Sequence, residues 1–153
     1  MPAPLRAWIH PPEMGVHAQR LGGVLRYDTT LGPILSEMAI LMVVRHWTSD
    51  YEWLVHKREA LKAGLGPDVI NSIAARRRPK GMDDHQQVLF DYVTELLESR
   101  TISELTHARA TVVLGQQSVV ELVGLLGYYT QVSMTLNAFS IGLPMGEAPE
   151  LSR

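Results

Sequence analysis

The segment Ile34-Leu35-Ser36-Glu37-Met38-Ala39-Ile40-Leu41-Met42-Val43-Val44-Arg45-His46-Trp47 decides the fold class. It holds no glycine or proline, and its apolar residues cover nearly every side of a 3.6-residue helix instead of one stripe. A helix of that composition belongs at the centre of a bundle, enclosed by other helices. Its longest uninterrupted apolar run, Met38 to Val44, is much too short to cross a bilayer.

Helical periodicity continues outward in both directions, and strand alternation is absent. Downstream, Thr48-Ser49-Asp50 offers N-cap chemistry for a helix to about Ala63, which Gly64 is placed to end. Pro67 starts a short helix to Ala75, and Arg76-Arg77-Arg78-Pro79-Lys80-Gly81 closes it with cations and a Pro/Gly break. Asp83-Asp84 open a helix to about Ser99, with an apolar face from Val88, Leu89, Tyr92, Val93, Leu96 and Leu97. Ser103 caps another that ends before Gly115, and a long apolar helix runs from about Gln116 to Phe139. Upstream, Asp28 to Pro33 is a loop, and Glu13 to Tyr27 is a helix following the Pro11-Pro12 stop. The sum is an all-α fold of about seven helices with short connections. It forms one domain over residues 1–153, with a loosely packed tail expected from Gly142. In the last helix Val119, Val120, Leu122, Val123, Leu125 and Leu126 cannot all face one narrow core. That pattern fits either a central helix or burial in an interface between subunits.

Composition narrows the function classes. The chain has 153 residues, a net charge of −2 and no cysteine, which removes disulfides, thiolate metal sites, cysteine nucleophiles and thiol redox chemistry. The near-neutral charge argues against nucleic acid as a partner, because phosphate contacts need a basic excess. Met1 to Arg6 lacks the apolar stretch of a signal peptide, so the expectation is a cytoplasmic protein with no membrane partner.

Two places carry candidate chemistry. Glu37 lies among apolar neighbours, where burial would raise its pKa into the range of a general acid or base; an exposed position in the first helical turn is the plainer alternative. On the next helix Ser49, Glu52, Trp53 and His56 share one face, and Glu52 and His56 stand four residues apart, within hydrogen-bonding reach. A histidine whose proton is managed by a carboxylate beside an aromatic wall is proton-transfer equipment. The plainer alternative is a surface Glu–His pair with Trp53 alone turned inward. Glu52, His56 and Glu37 could also hold a metal, but the two-histidine helical pattern is missing, and no metal is expected. A triad of Ser49, His56 and Glu37 lacks the Gly-x-Ser-x-Gly elbow. Arg76-Arg77-Arg78 reads either as the cationic cap of a helix or as an anion site. Arg45 and His46 lie near the proposed site by connectivity, and Gly127-Tyr128-Tyr129 and Asn137 interrupt the apolar last helix.

Ser36-Glu37-Met38-Ala39-Ile40-Leu41, Tyr51-Glu52-Trp53 with His56, and Ala60-Leu61-Lys62-Ala63-Gly64-Leu65 together resemble the carboxymuconolactone decarboxylase family, of the alkylhydroperoxidase-D-like fold. The likeness is to small bacterial members and is carried by about Leu35 to Ile73. It implies a helical subunit that assembles as a trimer or hexamer, which gives the over-apolar last helix a reason. In the peroxidase branch a Glu precedes Cys-x-x-Cys-x-x-x-His; aligned on Glu37 and His56, the cysteines fall on Ser49 and Glu52, and the histidine between them on Tyr51. Hydroxyl and carboxylate groups cannot exchange disulfides, which argues against thiol peroxidase activity. The decarboxylase branch carries a Glu four residues before its His, as Glu52 and His56 do, so the chain mixes features of both branches. The resemblance implies a cofactor-independent lyase or isomerase similar to the 4-carboxymuconolactone decarboxylases, with a small carboxylated lactone or enol-type substrate. Catalysis would fall to His56, Glu52 and Glu37, with Tyr51, Trp53 and Ser49 shaping the substrate site and Arg45 as carboxylate anchor. The alternatives are a non-catalytic helical oligomer that binds a small molecule, and a metal-assisted hydrolase or dioxygenase-like activity.

Overall fold

A computed structural model describes residues 3–153. Among them the chain forms eight helices and no strand: α1 (Leu5–Trp8), α2 (Pro12–Tyr27), α3 (Pro33–His46), α4 (Asp50–Ala63), α5 (Pro67–Ala74), α6 (Asp84–Ser99), α7 (Glu104–Leu114) and α8 (Gln116–Ala138). The all-α expectation holds, and α3 is the axis of the bundle. It packs against α4, α5, α6 and α8, and every residue from Ser36 to Arg45 is buried. The second layer forms where α8 also takes α2 and α7, while α6 and α7 pack as neighbours.

The boundaries follow local chemistry. Proline occupies the first turn of α2, α3 and α5, where the missing N–H costs no intrahelical bond. Gly64 ends α4 in the left-handed region at φ 97°, which a side chain would resist. Asp83 accepts from the Gln86 N–H while the Gln86 side chain accepts from the Asp83 N–H, a complete capping box for α6. The Ser103 hydroxyl accepts from the Thr106 N–H to open α7. At Gly115 the chain bends by 112° into α8. Among the described residues no single helix is long and apolar enough to cross a membrane.

Two features depart from the sequence expectation. The short helix α1 is additional; its Trp8 is buried, donates Nε1–H to Thr135 Oγ1 at 3.2 Å and meets Tyr128 edge-on. The tail is largely exposed but anchored at points. It contains no helix, yet Leu151 is buried, Glu147 and Glu150 pair with Arg58 and Lys57 of α4, and Arg153 pairs with Asp50. The tail is held by what it touches, so Gly and Pro breaks do not make it unpacked.

The last helix splits its apolar residues. Val119, Leu122, Leu125 and Leu126 enter the core, whereas Val120 and Val123 face outward. Its approach to α2 depends on Gly22, where a methyl group would fall 2.2 Å from Tyr128 Oη.

Candidate active site

Residues from three helices converge at the middle of the bundle. Glu37 lies one turn into α3, and Glu52 and His56 lie one turn apart on α4. Packing α4 on α3 brings His56 Nδ1 to 2.7 Å from Glu37 Oε2, while His56 Nε2 stands 3.3 Å from Glu52 Oε2. The exposures are 1% for His56, 7% for Glu37 and 5% for Glu52, so the plainer surface alternatives for both carboxylates fail. From α8, Tyr129 sets its ring edge-on to the imidazole, with centroids 4.8 Å apart and planes at 86°. Both ring nitrogens of His56 therefore face carboxylates, and Tyr129 packs against the ring.

The electrostatics follow from that enclosure. Burial alone would push the His56 pKa down, but the hydrogen bonds and charges of Glu37 and Glu52 raise it above the ordinary histidine value. Burial pushes the Tyr129 hydroxyl far above the ordinary phenol range, so it stays a neutral donor. The assembly can store a proton on an imidazole oriented by two flanking carboxylates.

The remaining sequence candidates divide. Ser49 is buried at the N-cap of α4 but does not cap; its Oγ has no hydrogen-bond partner among the described residues. It lines an open cleft of about 640 Å³ together with Tyr51, Asp50 and residues of the α8 end and the tail. Ser49 thus joins that cleft to the face of α4 on which Glu52 and His56 follow at one-turn intervals. Trp53 is buried in the core with its indole N–H unpartnered among the described residues.

Arg45 does not join this group. It lies eight residues beyond Glu37, about 12 Å along the helix. Its guanidinium donates to the Ala74 carbonyl at 2.7 Å, to Thr48 Oγ1 at 3.0 Å and to the Ser152 carbonyl at 3.0 Å. Those bonds tie the ends of α3 and α5 to the tail and leave little of Arg45 for a substrate. Among the described residues no three His, Asp or Glu side chains are arranged to hold a metal ion.

Sequence reading missed Arg26. This half-buried residue near the end of α2 lies over the Tyr27 ring at 5.1 Å, and its Nε is buried without a hydrogen-bond partner among the described residues. Burial works against its charge, but the fields of Tyr129, Tyr27 and Glu37 hold its pKa above the ordinary arginine value. No spacing rule connects α2 to α4, so only the packed structure reveals the proximity. Tyr129 was visible as an interruption of α8, without any sign that it meets His56.

No protein-family model matches the chain, and no curated protein sequence matches it.

Proposed function

We propose that the chain is a cofactor-independent lyase or isomerase that uses general acid/base chemistry on a small carboxylated lactone or enol-type metabolite, as its resemblance to the carboxymuconolactone decarboxylase family suggests. The observation that carries this reading is the buried imidazole of His56 held between Glu37 and Glu52. A non-catalytic binder has no need of three ionisable groups gathered in its core, where each costs several kcal/mol to desolvate (roughly, before pairing).

In this reading the roles of the two carboxylates differ. Glu37, at the shorter distance, holds the imidazole through Nδ1, and Nε2 is the nitrogen that exchanges a proton with substrate while Glu52 yields its looser contact. For a carboxylated lactone, the carbon–carboxylate bond breaks and its electron pair enters the conjugated lactone carbonyl as an enolate. Nε2–H then protonates carbon, carbon dioxide leaves, and the imidazole is reprotonated from water. The lactone itself is the electron sink, so no cofactor enters the step. Tyr129, kept neutral, is the donor for the developing oxyanion, and Arg26 anchors a carboxylate in place of Arg45. We assign substrate entry to the 640 Å³ cleft, which Ser49 and Tyr51 line.

Assembly as a trimer or hexamer belongs to the same proposal. The outward Val24 of α2 and Val120 and Val123 of α8 support it as apolar surface that a partner copy would cover, and light scattering tests it.

The decisive assay follows carbon dioxide release from a panel of carboxylated γ-lactones. Release that disappears in folded H56Q and falls at least about a hundredfold in E37Q supports the reading. Folded H56Q protein with wild-type turnover overturns it.

A further inference from the structure

A second group of ionisable residues lies at the other end of α3, away from Glu37, and the proposed reaction makes no use of it. The last turn of α3, the end of α5 and the middle of α6 enclose a cleft of about 320 Å³. Its floor is apolar, formed by Met42, Ile73, Phe90 and Leu97. Its rim carries Arg76, Arg77 and Arg78, with Arg45 and His46 beside them and Glu98 as the carboxylate of the lining.

Two of these arginines are already committed. Arg78 is paired with Asp91 and lies over the Phe90 ring, and Arg45 is held by its bonds to Ala74, Thr48 and Ser152. Arg76 and Arg77 are not. Arg76 makes one side-chain hydrogen bond, to Thr48 Oγ1 at 3.3 Å, and Arg77 makes none among the described residues. Both side chains are exposed. The cations also oppose one another: Arg76 lowers the pKa of Arg45 and of His46, adding to the effect of their burial. Like charges gathered over an apolar floor gain from an anion that neutralises them, and arginine forks suit a carboxylate.

We infer that the α3–α5–α6 cleft is a binding site for a small organic anion, an apolar body of about one ring carrying a single carboxylate, with the body on Phe90, Leu97, Ile73 and Met42 and the carboxylate on Arg76 and Arg77. The cleft volume is near the lower end for small-molecule sites, which limits the body to about that size. One carboxylate matches the two uncommitted guanidinium groups. A free inorganic anion would leave the apolar floor unused.

The probe is 4-phenylbutyrate, titrated calorimetrically against the full chain beside its neutral amide and inorganic phosphate, with the bound position mapped by backbone amide shifts. The acid should bind at least about tenfold more tightly than either comparator, with shifts concentrated at residues 73–78 and 90–97. R76Q/R77Q, altered only at exposed side chains, should keep the wild-type melting temperature and lose at least about tenfold in affinity. E37Q should bind the probe as the wild type does, which separates this cleft from the proposed catalytic site. Equal affinity for acid and amide, phosphate binding as tight as the acid, unchanged affinity in R76Q/R77Q, or shifts centred on Glu37 and His56 would each overturn the inference.

Discussion

His56 Nδ1 and Glu37 Oε2 stand 2.7 Å apart across the α3–α4 contact, although they lie nineteen positions apart in the chain. The pair makes the protonation of one buried ring a property of how two helices pack. Glu52 reaches the opposite nitrogen from the same helix as His56, at a longer distance.

That asymmetry can be read by titration. The His56 ring should titrate above the ordinary histidine value in the wild type, fall furthest in E37Q and fall less in E52Q, as followed by the imidazole carbon-bound proton signals. Because the folded value is raised, protonated His56 stabilises the fold fully below about pH 6.5, the unfolded value. The contribution disappears as pH rises through the higher folded value. Urea midpoints should therefore decline as pH rises above about 6.5 in the wild type and decline less in E37Q.

Removing the ring has a larger cost than removing one carboxylate. H56A leaves Glu37 and Glu52 buried without the cation between them, and a broken buried pair costs roughly 3–5 kcal/mol. Equilibrium urea unfolding at pH 6 should show a loss of that size. A loss below about 1 kcal/mol would mean that water enters and solvates the carboxylates.

Ser49 separates stability from chemistry. Its buried hydroxyl lacks a partner among the described residues, so S49A should hold or raise stability by about 1 kcal/mol in thermal or chemical unfolding. On a carboxylated lactone that the wild type turns over, the same variant should raise KM, because Ser49 lines the cleft from which substrate is proposed to enter. A destabilised S49A would show that the hydroxyl is satisfied within the fold.

The two arginines should divide in the same way. R45Q breaks the bonds to Ala74, Thr48 and Ser152, and should lower the unfolding midpoint and expose the tail to proteolysis after residue 146. R26Q should leave the midpoint nearly unchanged and raise KM for carboxylated substrate. Reversed results would return the anchor to Arg45.

Gly22 tests the α2–α8 contact. A methyl group there meets Tyr128 at 2.2 Å, so G22A should cost about 1–3 kcal/mol, the range for overpacking. In a Tyr128→Ala background the same change should cost much less, and the double-mutant cycle measures the difference.

Much of the fold was legible because its punctuation is local. Pro33, Gly64, Pro67, the Asp83–Gln86 box and Ser103 act within a few residues, and the helix ends fall beside them. The apolar run of α3 announced its central place in the same direct way. What escaped was held by distant contacts. The four residues of α1 cannot sustain a helix alone, and Trp8 finds Tyr128 and Thr135 more than a hundred positions away. The tail reads as a series of breaks until Leu151 and Ser152 reach the core and Arg45. The candidate site divides along the same line. Glu52 and His56 share a helix face by spacing, whereas the meeting of His56 with Glu37 and Tyr129 is tertiary.

The enclosure of α3 has a consequence for time as well as for place. An amide on a helix buried on all sides exchanges with deuterium only when the whole domain opens, so the amides from Ser36 to Arg45 should be the slowest in the chain. Glu37 sits inside that slow core, while Arg76 and Arg77 lie at a loop that can fray on its own. A deuterium-exchange time course would then read two clocks in one molecule. One belongs to the proton-handling core and runs at the rate of global unfolding; the other belongs to the cationic rim and runs free of it.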